Sequence, residues 1–386
     1  MTSPAAPIDA LELAQTLIRR PSVTPADAGA IGVVSDILET LGFTCRRMRF
    51  GEIENLYARR GTKGPNLCFA GHTDVVPAGE AKAWRHDPFA AQVSDGLLYG
   101  RGAVDMKSAI AAFVAAVANT LSHGEPAGSI SLLITGDEEG DAHDGTVKVV
   151  EALAAEGETI DHCIVGEPTS SAALGDMIKV GRRGSLNAWI TVEGVQGHVA
   201  YPDRAANPIP VLVKLAERLR AHRLDDGYPE FQPSNLEFTA LFADDVATNV
   251  IPATASARLN IRFNPAHTGS GLVRWLAAEC ESAEASFPGK VRLKTSISGE
   301  AFHTPPDRFV EVAAAAVEAV TGRRPELSTS GGTSDARFIR ALCPVIELGL
   351  VGTTMHMVDE HAPVAEVRGL AGIYEALIKR YFEAFA

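Results

Sequence analysis

Paired cysteines are missing from this chain of 386 residues. The five it has, Cys45, Cys68, Cys163, Cys280 and Cys343, are scattered, odd in number and never spaced Cys-x-x-Cys. That pattern excludes a cysteine-built zinc site and points to reduced thiols in a cytoplasmic protein. Positive charge is also scarce: 35 Lys and Arg stand against 48 Asp and Glu, a formal net charge of −13. With that sign, neither nucleic acid nor an anionic membrane surface is an expected partner. No apolar stretch is long enough to cross a bilayer, so no membrane span is expected. Met1 to Arg20 lacks the basic and apolar regions of a secretion signal. Asp9, followed three residues later by Glu12, reads instead as the cap of a first helix. Internal repeats, low-complexity tracts and long linkers are absent too.

What is present is ordinary globular material, 46% apolar and 22% charged, in a chain longer than one hydrophobic core comfortably serves. Residues 1–181 alternate helix and strand patterns, with strands at Asn66 to Ala70, 129–135 and His162 to Val165. Alternation of this kind predicts a mainly parallel sheet covered on both faces. Between 182 and 297 the order becomes β-α-β-β-α-β, the split βαβ layout of a ferredoxin-like domain. The α/β texture returns at 298–386, with helices expected near 308–320, 334–341 and 367–384. The expectation is one α/β domain, 1–181 with 298–386, interrupted by an α+β insert at 182–297.

The chemistry gathers where strands end. His72 and Asp74 follow the first strand in Gly-His-Thr-Asp, Glu138 and Glu139 follow the second, and Glu167 follows the third in Gly-Glu-Pro. Asp105 comes after the turn Tyr99-Gly100-Arg101-Gly102, and His356 lies late in the chain, with His361 as a rival five residues on. Open α/β sheets bind ligands at the carboxyl ends of their strands. Two imidazoles and three carboxylates, one of them shared, suffice to hold two divalent ions a few ångströms apart, as in two-metal hydrolases. Nitrogen and oxygen donors without thiolate suit zinc, with cobalt or manganese as substitutes. Asp74 stands where a carboxylate orients a ligating imidazole from behind. Singly, each residue has a plainer reading as a turn former or a solvated group, and only their joint occurrence carries weight.

Gly71-His72-Thr73-Asp74-Val75-Val76-Pro77, Tyr99 to Lys107, Asp137-Glu138-Glu139-Gly140 and Gly166-Glu167-Pro168 resemble the di-zinc deacylase and peptidase family, which includes acetylornithine deacetylases, aminoacylases and carboxypeptidases. The resemblance covers nearly the whole chain. It implies a di-zinc aminopeptidase-like domain in which His72 and Glu167 hold one Zn2+ and Glu139 and His356 the other, with Asp105 bridging. Cobalt is the alternative at one site. The same resemblance makes Glu138 the general base and the insert a lid and dimerisation domain, hence a homodimer.

Val180 to Ser185, Val195 to Pro202, Thr248 to Pro252, Asn260 to Phe263 and Ser330 to Asp335 resemble the desuccinylase branch of that family. This implies that Arg182, Asn249, Arg262, Gly332 and Thr333 bind substrate carboxylates, and that His198 of a partner subunit steadies the oxyanion. The implied substrate is a small N-acyl amino acid, N-succinyl-LL-2,6-diaminopimelate, with N-acetylornithine as the alternative. The arginines favour an anionic substrate on their own account, because guanidinium forks match carboxylates. The branch usually has Asn shortly before the late histidine, where this chain reads Gly349-Leu350-Val351-Gly352-Thr353-Thr354-Met355-His356, so the substrate hydrogen bond that the resemblance implies from that loop is not expected here.

Overall fold

The computed structural model describes residues 8–244 and 247–386. The chain folds as two compact units: Met1–Val180, Thr304–Ser328 and Ser334–Ala386 form the first, and Gly181–His303 with Thr329–Thr333 the second. The second unit thus reaches beyond the expected 182–297, because Gly181–Arg182 pairs with Phe302–His303 and closes the neck of the insert.

In the first unit an eight-stranded sheet carries the order Thr44–Phe50, Ile53–Arg60, Ser129–Thr135, Asn66–His72, His162–Val165, Val345–Glu347, Met177–Lys179, Glu326–Ser328. Its four middle strands, from Ser129–Thr135 to Val345–Glu347, are mutually parallel. They are buried along nearly their whole length, as strands covered on both faces must be. Their carboxyl ends therefore share one edge. The antiparallel hairpin Thr44–Phe50 and Ile53–Arg60 extends the sheet on one side and was not anticipated from the sequence.

Lys107–His123 is buried on every side from Lys107 to Ala118, since its small residues let it pack against Ala10–Ile18 and Val364–Phe385. Phe69, Phe113 and Tyr374 meet at the centre of this core, with the two Phe ring centroids 4.4 Å apart. The first helix is capped as expected: the Asp9 carboxylate accepts from Leu11 N at 2.7 Å and Glu12 N at 3.4 Å. The last helix starts at Val364, earlier than expected, and the one expected at 334–341 is a single turn, Ala336–Ile339. Among the described residues no helix is long and apolar enough to cross a membrane.

The second unit is a four-stranded antiparallel sheet, ordered Asn235–Ala243, Thr254–Phe263, Gly184–Glu193, Lys290–Gly299. With Pro208–Ala221 and Gly269–Glu284 it makes the ferredoxin-like arrangement. Inward-facing Leu186, Ala188, Ile190, Leu259 and Ile261 alternate along the central strands and bury against Leu212, Leu215, Leu219, Leu272 and Leu276 of the helices. Asn235–Ala243 is an edge strand whose Leu241 and Phe242 remain exposed.

Candidate metal centre

Sheet topology places the ligating groups. His72 ends the strand Asn66–His72, the acidic pair follows one parallel neighbour, and Glu167 follows the other. His356 lies in the loop after Val345–Glu347, one strand further along the same edge. Asp105 arrives by another route, in the turn that opens Lys107–His123. Met106 seats that turn: a side-chain carbon on Gly71 would fall 2.4 Å from its methyl, and one on Gly166 2.5 Å from the Phe69 ring and 2.7 Å from that methyl, so bare backbone at both strand ends leaves it room.

His72, Asp105 and Glu167 each offer one donor atom, all within 4.8 Å of one another, and Asp105, Glu139 and His356 form a second such group. Asp105 belongs to both. Its Oδ1 lies 3.1 Å from His72 Nε2 and its Oδ2 3.4 Å from His356 Nε2. His356 Nε2 is also 2.8 Å from Glu139 Oε1. His72 Nδ1 donates to the carbonyl of Asp74 at 2.9 Å, which leaves Nε2 to face the carboxylates. The Asp74 carboxylate, expected to orient His72, has its Oδ1 3.6 Å from His72 Nδ1 and also holds the acidic pair. It accepts from Glu138 N at 3.2 Å, from Glu139 N at 3.0 Å and from the Thr24 hydroxyl at 2.7 Å. His361 joins neither group; its ring lies against Tyr99 and its Nδ1 bonds to the Asp359 carbonyl at 2.7 Å.

Negative charge dominates this pocket. Burial raises the Glu167 carboxyl well above the usual carboxylate range, and Asp105 and Glu138 add to the effect. Glu138 is raised in the same way by burial and then by Asp335, against the pull of His72. Burial also holds Asp335 at about 6, in spite of Arg337 and Thr146. His356, hydrogen-bonded to Asp105 and Glu139, is raised to about 10. For His72, burial opposes the charged ring, but Asp105, Asp74 and Glu167 outweigh it and push the pKa up.

These residues fit a pair of divalent cations. Glu167 Oε1 is buried and, among the described residues, has no hydrogen-bond partner. A carboxylate oxygen left in that state is costly, and a cation held jointly with His72 relieves it. The donor set of imidazole nitrogens and carboxylate oxygens is that of catalytic zinc and related metals.

The remaining sequence-derived residues belong to the second unit. Arg182 is buried and donates to the Ser330 carbonyl at 3.3 Å. Arg262 is half-buried. Burial lowers its pKa, the neighbouring Arg183 lowers it further, and its Nη1 is buried without an acceptor among the described residues. Such a guanidinium calls for an anion. Asn249 and Gly332 are exposed and Thr333 is partly so. His198 is exposed in a two-residue strand paired with Val250–Ile251, and its Nδ1 accepts from Ala200 N at 3.0 Å. That bond puts the ring proton on Nε2, leaving it free to donate. Sequence reasoning missed the contribution of Thr24, Arg101, Asp335 and Glu360. Arg101 and Asp335 lie inside the motifs that carried the family resemblance, so position was their only signal.

The profile of peptidase family M20/M25/M40 matches residues 68–380. The chain belongs to this family of metal-dependent hydrolases. Along its full length it is 69% identical, over 389 residues and 100% of each chain, to the succinyl-diaminopimelate desuccinylase of Caulobacter vibrioides. Among solved structures, the aminopeptidase PepT of Bacillus cereus superposes with a TM-score of 0.79 at 19% identity, over 98% of this chain and 99% of that one. A Bacillus subtilis dinuclear metal-binding peptidase of the M20 family gives 0.73 at 16% identity, over 97% and 98%.

Proposed function

We propose that the protein hydrolyses N-succinyl-LL-2,6-diaminopimelate to succinate and LL-2,6-diaminopimelate, a step of diaminopimelate and lysine biosynthesis in the cytoplasm. One observation carries the choice of substrate: the full-length 69% identity to a relative named for that reaction. The reaction type rests on the shared Asp105 and on Glu138 beside it.

His72 and Glu167 would hold one Zn2+, Glu139 and His356 the other, and Asp105 both, with Co2+ able to replace zinc at one site. When bound, the two cations supply Lewis-acid polarisation of the amide carbonyl and lower the pKa of water. Glu138 takes the proton of the attacking water and then delivers it to the departing amine nitrogen, acting as base and afterwards as acid. Its carboxyl, raised by burial and by Asp335, is the more ready to return that proton. Asp74 fixes three participants at once: the His72 ring through its carbonyl, and the backbones of Glu138 and Glu139 through its carboxylate. His198, with its proton on Nε2, donates to the developing oxyanion from the partner subunit of a homodimer. Support for a second copy comes from the open edge Asn235–Ala243, whose exposed Leu241 and Phe242 are what strand-to-strand pairing would cover. Arg182, Arg262, Asn249, Gly332 and Thr333 take the substrate carboxylates.

The test is a side-by-side assay of purified protein. The specificity constant, kcat/KM, should favour N-succinyl-LL-2,6-diaminopimelate over N-acetylornithine by about 100-fold or more, since guanidiniums built for a carboxylate are left unpaired by an acetyl group. A preference for N-acetylornithine would overturn the choice of substrate.

A further inference from the structure

One buried carboxylate near the metal centre has no part in the chemistry above. Glu360 is fully buried, and each of its oxygens accepts two hydrogen bonds. Oε2 takes Arg101 Nη1 at 2.7 Å and Gly102 N at 3.2 Å; Oε1 takes Val104 N at 2.8 Å and Asp105 N at 3.2 Å. The backbone of the turn that presents Asp105 is thus wrapped around a single side chain. Arg101, 3% exposed, extends the network in the other direction. Its Nη1 donates to the Met357 carbonyl at 3.3 Å and its Nη2 to the carbonyl of His356 itself at 3.5 Å, while its guanidinium lies over the Trp84 ring.

The loop being gripped needs a grip. His356 (φ +61°) and Asp359 (φ +59°) are both in the left-handed region without being glycine. Conformations of that kind persist only where surrounding contacts over-determine them. His72 and Glu167 are placed differently, at the ends of parallel strands in the sheet. Both cation-holding groups share Asp105, and Glu139 follows a parallel strand as His72 and Glu167 do; only the second group also draws on the His356 loop that Arg101 and Glu360 tie down.

We propose that Glu360 and Arg101 are a positioning pair that locks the Asp105 turn to the His356 loop and so sets the affinity of the second cation group, Asp105 with Glu139 and His356, in preference to the first. The inference rests on the cation-binding reading of those residues, and it is independent of which acyl group is cleaved.

The test is a calorimetric titration of metal-free protein with Zn2+, with no substrate present, paired with the visible absorption of the Co2+-loaded protein. Wild type should take two equivalents. In Arg101→Lys, which keeps a buried cation but loses the forked reach, the second equivalent should bind about 10- to 100-fold more weakly, the usual cost of removing a residue that orients a ligand. The first equivalent should weaken less, because its group shares Asp105 but not His356. Glu360→Gln should act in the same direction, and the absorption of the second Co2+ should change while that of the first persists. A merely structural role would weaken both equivalents alike and lower the melting temperature in step; that result, or a folded Arg101→Lys that binds both as wild type does, overturns the proposal. A wild type that takes fewer than two equivalents would overturn the cation reading beneath it. A wild type that takes two but leaves N-succinyl-LL-2,6-diaminopimelate intact would count against the proposed substrate alone.

Discussion

Replacing Glu138 by Gln should lower kcat by about 1000-fold, within the usual contribution of a positioned acid-base group and equivalent to about 4 kcal/mol of barrier. Glutamine keeps the size and the backbone bonds to Asp74 but cannot accept a proton from water or return one to the amine. Because Glu138 belongs to neither cation group, metal content should stay at the wild-type level. KM should change little, since the lost interaction belongs to the transition state. The measurement is steady-state kinetics on the zinc-loaded variant, with its metal content determined on the same sample. Turnover near the wild-type rate would remove Glu138 from the role of base. A parallel loss of metal would make it a ligand and leave the base to be found.

Asp105→Ala should be the most damaging single change, because Asp105 alone serves both groups. Removing it should weaken both cations by more than the roughly 10- to 100-fold cost of losing a residue that only orients a ligand, and activity should fall with occupancy. A second consequence is readable without metal. In the cation-free protein His356 is raised to about 10 by its hydrogen bonds to Asp105 and then to Glu139, so the ring is protonated at neutral pH. Without Asp105 the favourable partner is lost, and the ring should titrate at a lower pH, closer to the ordinary histidine value. Metal binding needs the neutral imidazole, so in the wild type cations and protons compete, and loading should strengthen as pH rises. An NMR titration of the His356 ring in wild type and variant checks the direction. An unchanged ring pKa would show that Asp105 does not reach it in solution.

Much of the centre was legible because three of the ligands, His72, Glu139 and Glu167, stand at or just after the ends of short apolar runs, and such runs become buried parallel strands with a common carboxyl edge. The sequence alone places His72, Glu139 and Glu167 on one edge, and the structure brings them together with Asp105 and His356. Choosing His356 over His361 needed the family resemblance; spacing alone could not show that His361 packs on Tyr99. The hairpin Thr44–Phe50 and Ile53–Arg60 was invisible because its outer strand carries Arg46, Arg47 and Arg49 at a solvated edge and lacks a buried stripe. Asp74 shows another limit. Proximity in sequence connected it to His72, whose Nδ1 its carboxylate approaches at 3.6 Å, but not to the backbones of Glu138 and Glu139, which it also holds and which strand pairing alone brings near. The same holds for Glu360 and Arg101, which stand 259 residues apart in the sequence and meet only in the fold.

The central claim is a hydrolase whose chemistry depends on two cations held by one shared carboxylate. Its most direct test is to strip the purified protein with a chelator, titrate Zn2+ back and follow succinate release from N-succinyl-LL-2,6-diaminopimelate. Activity should be lost on stripping, return as zinc is added and level off at two equivalents per chain. Full activity in the stripped protein, or no succinate release at any zinc level, would contradict it.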